Sequence, residues 1–244
     1  MVEHAGRTSP QALGIVPALD LLTVGDLQRV VSATCEVEGI VAYKLGLQAV
    51  LHIGLFEAVA TVRALTDLPI IYDHQKAGAD MPDSAEGFVH ICAQADIAGL
   101  ILFPVAGPTA VREFVGHTLA AGLDAVVGGH IPVPDYTASG GGYFVDDVLD
   151  LIARDAVAVG AKQVVLPAND TAGIRRRSRW LCEHVADPVV YLTGIGPLGG
   201  TIAESFAAAE GVPVRRAVVG RRICSAVDPR QAAESVVAEL EPFR

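Results

Sequence analysis

Short apolar runs, separated by polar loops and amphipathic stretches, repeat along the whole chain. The runs lie at Gly14–Leu19, Ile40–Tyr43, Pro69–Tyr72, Gly99–Phe103, Asp124–Val127, Gln163–Leu166, Val189–Leu192 and Arg216–Val219. A continuous apolar run of this length reads as a parallel strand buried on both faces, because crossover helices cover both sides of such a sheet. Between the runs, apolar residues recur at helical spacing in Asp26–Val37, Gln48–Leu65, Asp83–Ala95, Thr109–Ala121, Val145–Val159, Thr171–Val185 and Thr201–Glu210, and a last stretch spans Pro229–Leu240. The alternation of strand and helix predicts an α/β fold, with residues 1–244 forming one closed (β/α)8 TIM barrel. An open doubly wound sheet is the alternative. It more often carries a glycine-rich dinucleotide turn after its first strand, where this chain has Asp20-Leu21-Leu22-Thr23.

Composition narrows the function classes. Of the residues, 51% are hydrophobic, yet no uninterrupted apolar run reaches the roughly 18 residues of a membrane span. The polar start, MVEHAGRTSPQALG, lacks the apolar stretch of a signal peptide. These features predict a soluble, cytoplasmic protein with no membrane partner. A net charge of −10 repels nucleic acid, so an anion site on this chain must be local. Cys35, Cys92, Cys182 and Cys224 show no metal-binding spacing and read as reduced thiols. Arginine outnumbers lysine heavily, and the only lysines are Lys44, Lys76 and Lys162.

Active sites of such barrels sit at the C-terminal ends of the strands. Asp20, Lys44, Asp73 and Lys76 fall there on three consecutive strands, followed by Asp80. Their convergence predicts an alternating charge array, with a structural salt-bridge network as the plainer alternative. An ammonium between carboxylates keeps its proton, which suits protonation of a carbanion and stabilisation of charge developing on carbon. Lys162 precedes strand 6, on the opposite face. The loops after strands 7 and 8, Thr193 to Gly200 and Gly220-Arg221-Arg222, combine glycines that admit close backbone approach with a guanidinium fork. Barrels often hold phosphate between these two loops. The long connection Gly128–Tyr143 reads as an active-site lid. His74 and His130 neighbour these loops and stay unassigned.

Taken together, Ala18-Leu19-Asp20, Tyr43-Lys44-Leu45-Gly46, the segment Asp73 to Asp80, and Val219-Gly220-Arg221 resemble the orotidine 5'-phosphate decarboxylase family over nearly the whole chain. Asp73-His74-Gln75-Lys76-Ala77-Gly78-Ala79-Asp80, with Ile101-Leu102-Phe103-Pro104 and Val126-Val127-Gly128-Gly129, is similar to the archaeal branch. The resemblance implies cofactor-free decarboxylation of a carboxylated pyrimidine-type nucleotide, with no metal. In it, Lys76 is the proton donor, Asp73 faces the substrate carboxylate, Lys44 bridges carboxylates and ribose, and Asp20 holds the ribose. Asp80 reaches into the neighbouring subunit of a homodimer. Gly199, Gly200, Gly220 and Arg221 hold the 5'-phosphate, with Thr193 also against the substrate. The chain departs from the family at Leu198 (usually glutamine), Thr193 (usually proline), Ala79 (often threonine) and near Pro132, where a hydroxyl residue usually reads the base. A metal-dependent lyase or aldolase on a phosphorylated sugar, and a non-catalytic nucleotide-binding relative, remain as alternatives.

Overall fold

The structure, a computed structural model, describes residues 11–74 and 79–244. Eight parallel strands close into a barrel in chain order: β1 (Leu13–Leu19), β2 (Tyr43–Gly46), β3 (Ile70–Asp73), β4 (Gly99–Leu102), β5 (Asp124–Val127), β6 (Gln163–Pro167), β7 (Val189–Thr193) and β8 (Val214–Val219). The helices are α1 (Val24–Thr34), α2 (Leu47–Ile53), α3 (Leu55–Arg63), α4 (Ala85–Gln94), α5 (Pro108–Ala120), α6 (Val148–Val159), α7 (Thr171–His184), α8 (Ile202–Ala208), α9 (Arg221–Cys224) and α10 (Pro229–Ala238). Among the described residues, no helix is long and apolar enough to cross a membrane.

Side chains alternate along each strand between two cores. Ile15, Leu19, Tyr43, Leu45, Ile70, Tyr72, Leu100 and Leu102 pack in the layer between sheet and helices. Val16, Ile71, Ile101, Val126, Val165, Tyr191 and Val218 form the separate cluster that fills the barrel. The strands therefore look apolar on both faces, which is why uninterrupted apolar runs marked them.

Two elements differ from the sequence expectation. The expected helix Gln48–Leu65 is two helices, broken where Gly54 adopts a φ of 95° that ends α2 and begins α3. The second strand forms at Tyr43–Gly46 rather than Ile40–Tyr43. Ile40 bridges to Ile15, and the ladder resumes at Ala18 with Lys44. Three steps along β1 thus face four along its neighbour, an inserted residue of the kind that makes a bulge. Val41 and Ala42 consequently both join the barrel interior. Shifting the count by one exchanges the faces of everything that follows. Tyr43 then points outward, with its hydroxyl 2.7 Å from Thr34 Oγ1 on α1, and Lys44 points inward.

Candidate active site

Lys44 and Asp73 occupy the C-terminal rim of the barrel interior, one alternation beyond Ala42 and Ile71. Lys44 Nζ lies 2.9 Å from Asp73 Oδ2 and 3.0 Å from Asp20 Oδ1. Lys44 and Asp73 are buried, whereas Asp20, just past β1, is half-exposed. Burial works to lower the Lys44 pKa, but Asp73 and Asp20 together outweigh it and raise it, so the ammonium stays charged. Burial pushes the Asp73 carboxyl up, against the pull of Lys44. Asp73 Oδ1 is buried and has no hydrogen-bond partner among the described residues.

Gly46 makes room for this arrangement. A Cβ there would overlap Asp20 Oδ1, fall 2.8 Å from Asp20 Cγ and 3.3 Å from Lys44 Nζ. Only a residue without a side chain lets the Asp20 carboxylate lie across the end of β2.

The three charged residues floor a cavity of about 580 Å³, whose lining also includes Leu47, Gln48 and Ala79. The rest of its described lining is Phe103, Val105, Ile131, Tyr136 and Phe144. Three of these come from the long connection after β5 or its end. That segment is folded on itself: Thr137 bridges to Phe144, Ala138 N donates to Phe144 O, and Gly142 N donates to Thr137 O. Tyr136 stacks between His130 and Phe144, at ring separations of 5.2 and 4.8 Å. Burial lowers the His130 pKa, and Arg177 adds to it, so His130 is a neutral ring backing Tyr136. Arg177 is itself held by Asp150 at 2.8 Å and Asp170 at 3.1 Å. The segment expected as a lid thus lines the cavity and is closed on itself by its own hydrogen bonds. Ile131, rather than Pro132, lines the cavity; Pro132 packs toward Gly194.

The other candidates divide. Lys76 lies outside the described residues. Asp80 is exposed, and its Oδ1 accepts from Met81 N. The Tyr72 hydroxyl pairs with His74 Nδ1, and His74 packs against Phe88, away from the cavity lining. Thr193, Gly199, Gly200, Gly220 and Arg221 share the rim but do not line the cavity. In the β7 loop, Gly194, Gly196 and Gly199 have φ of 82°, 90° and 88°, the left-handed region that favours glycine. The N–H groups of Gly196, Gly199 and Gly200 bond within the turn, to Gly200 O, Gly196 O and Gly194 O. A Cβ on Gly200 would meet the Ala168 methyl at 2.5 Å. Arg222 is committed to Glu239, just past the end of α10. Arg221 is exposed, with no hydrogen bond or ion pair among the described residues. Nor do any three His, Cys, Asp or Glu side chains among those residues gather to hold a metal ion.

The apolar wall was not singled out from sequence, although Phe103 stood in a quoted motif. Nothing in the linear order of the β5 loop marks which of its residues turn inward.

The architecture is therefore a closed (β/α)8 barrel whose C-terminal mouth carries a buried ammonium between two carboxylates. No family model matches the chain. Over 223 residues it is 27% identical to the orotidine 5'-phosphate decarboxylase of Methanosarcina barkeri, covering 90% of this chain and 92% of that protein. Over 113 residues it is 30% identical to the enzyme of the same name from Rhodopseudomonas palustris strain BisB5, covering 43% of this chain and 45% of that protein. The fold superposes on the crystal structure of orotidine 5'-monophosphate decarboxylase from Methanocaldococcus jannaschii, complexed with the inhibitor BMP. The TM-score is 0.74 at 20% identity, covering 94% of this chain and 99% of the other. The Sulfolobus solfataricus enzyme gives a TM-score of 0.72 at 18% identity, covering 94% and 98%. In sequence the chain is thus similar to orotidine 5'-phosphate decarboxylases, and it shares their barrel fold.

Proposed function

We propose that the chain is a cofactor-independent decarboxylase of a phosphorylated nucleotide bearing a ring carboxylate, orotidine 5'-phosphate or a close analogue. The observation that carries this reading is the buried Lys44 ammonium, 2.9 Å from Asp73 and 3.0 Å from Asp20, on the floor of a ligand-sized cavity. Burying such charges costs several kcal/mol, about what a site retained for chemistry rather than stability spends.

In this reading the substrate carboxylate sits beside Asp73. The carbon–carbon bond breaks, CO2 leaves, and the electron pair stays on the ring carbon. The fixed field of Lys44 and Lys76 stabilises that charge, and Lys76 donates the proton that completes the product. Asp20 and Lys44 hold the ribose. Arg221, the unengaged guanidinium at the rim, grips the phosphate with Gly199, Gly200, Gly220 and Thr193. The protein acts as a cytoplasmic homodimer in which Asp80 completes the partner's charge array. Leu51, Phe56, Met81 and Ile91 are exposed apolar side chains on or beside the helices after β2 and β3, and they support a covered face there.

The test is ultraviolet absorbance during incubation with orotidine 5'-phosphate, with Lys76→Ala alongside. Turnover that persists in EDTA and is lost in Lys76→Ala, with ligand binding retained, supports the assignment. EDTA-sensitive turnover of a phosphorylated sugar instead would sink it.

A further inference from the structure

The described cavity lining has two unlike parts. Asp20, Lys44 and Asp73 carry the charge, with the Gln48 amide beside them, and Phe103, Val105, Ile131, Tyr136 and Phe144 present hydrocarbon and ring surface. Among the described residues of that apolar part, the Tyr136 hydroxyl is the one polar side-chain group, and burial raises its pKa, which keeps it a neutral donor. Most of the wall's backbone acceptors are already engaged. Phe103 O accepts from Val105 N at 2.8 Å, Ile131 O from Val133 N at 2.8 Å, and Tyr136 O from Phe144 N at 3.4 Å. A heterocycle whose edge carries several carbonyl and N–H groups would leave unpaired those that turn to Phe103, Val105, Ile131 and Phe144, and each such group weakens binding by roughly tenfold or more. A flat ring with an apolar edge loses nothing and gains apolar contact with Ile131, Phe103 and Phe144.

From this we infer that the site selects the ring bearing the departing carboxylate by its flat apolar face, not by hydrogen bonds along its edge, and that Ile131 sets the preference. The substrate class is a phosphorylated riboside of an aromatic carboxylate with few polar ring substituents. Ile131 holds this role because it is the wall residue with the most exposed surface, 36%, and its own carbonyl is tied into the turn to Val133. The inference rests on the nucleotide reading above and narrows it.

Calorimetric titration of the intact protein with two probes tests it: uridine 5'-phosphate, and phenyl C-riboside 5'-phosphate, which has the same ribose phosphate but a benzene ring. The wild-type protein is expected to bind the phenyl compound about tenfold more tightly. Ile131→Ser, which adds a hydroxyl to the wall, is expected to shift the ratio toward uridine 5'-phosphate by about tenfold. The wild-type comparison needs no variant, so a poorly folding Ile131→Ser leaves the test intact. Tighter wild-type binding of uridine 5'-phosphate, or an unchanged ratio in a folded Ile131→Ser protein, overturns the inference and leaves the nucleotide reading standing. Failure of both ribosides to bind removes the two together.

Discussion

Replacing Gly46 with alanine perturbs the charge array without touching a charged residue. Gly46 has φ −86° and ψ 163°, which alanine adopts without strain, so the substitution acts through its methyl group alone. That methyl would overlap Asp20 Oδ1 and lie 2.8 Å from Asp20 Cγ. Restoring an ordinary carbon contact of about 3.5 Å displaces the carboxylate from Lys44. At an effective dielectric near 20, stretching that pair from 3.0 Å to about 5 Å costs roughly 2 kcal/mol. Asp20 is half-exposed, and solvent screening cuts this to about 1 kcal/mol or less. The melting temperature should therefore fall by no more than about 4 °C. The diagnostic readout is the Lys44 ammonium itself, resolvable by NMR because the chain has only Lys44, Lys76 and Lys162 to label. Asp20 helps raise the Lys44 pKa, so Gly46→Ala moves its titration down, as does Asp20→Asn. The double variant should titrate like Asp20→Asn alone, because both changes remove one interaction. An unshifted Lys44 in Gly46→Ala, or fully additive shifts in the double variant, would refute the claim that Gly46 positions Asp20.

Further outcomes follow from the same geometry. Lys44→Met leaves the Asp73 carboxylate buried without its cation and should cost roughly 3–5 kcal/mol at neutral pH. Loss of Lys44 also pushes Asp73 further up, and a carboxyl whose folded pKa exceeds its unfolded value loses stability as pH rises through that window. Urea unfolding should therefore show the Lys44→Met deficit shrinking toward acid pH, and a pH-independent deficit contradicts this. Arg221→Ala should weaken inorganic phosphate and nucleotide binding by about tenfold or more with little change in melting temperature. Arg222→Ala, which breaks the surface pair to Glu239, should cost no more than about 1 kcal/mol of stability and leave phosphate affinity unchanged. Reversed effects would place the anion elsewhere. If Asp80 acts across a dimer, mixing inactive Lys76→Ala and Asp80→Ala proteins restores part of the turnover, because some heterodimers carry one intact site. No recovery argues that each site is built from one chain.

Much of the fold was legible because burial on both faces writes parallel strands as unbroken apolar runs. Strand β2 was misplaced for a specific reason. The run Ile40–Tyr43 is apolar, but the inserted residue at Val41–Ala42 interrupts pairing without any polar or glycine mark. The Gln48–Leu65 helix kept its periodicity through Gly54, whose positive φ a sequence pattern does not reveal. The floor of the site was readable because strand ends converge on one rim, which brought Asp20, Lys44 and Asp73 together. The wall was not readable, since it depends on how the β5 loop pairs with itself through Thr137 and Phe144. For the anion, sequence pointed to Arg221 rather than Arg222, and the structure adds a physical difference between them, since Glu239 claims Arg222.

Floor and wall are held by different means, and this bears on what the barrel can accommodate. Lys44 and Asp73 are aimed by strand register, with Lys44 turned inward by one extra residue in β2. A change there flips side chains to the other face and destroys the site outright. Ile131, Tyr136 and Phe144 are aimed by a loop closed through its own hydrogen bonds, which can change residues without altering any strand pairing. Ligand choice on this barrel is therefore free to change while the ammonium and its carboxylates stay in place. That division is what the structure shows here: Lys44 pairs with Asp20 and Asp73 at the strand ends, while Ile131, Tyr136 and Phe144 line the same cavity from a loop.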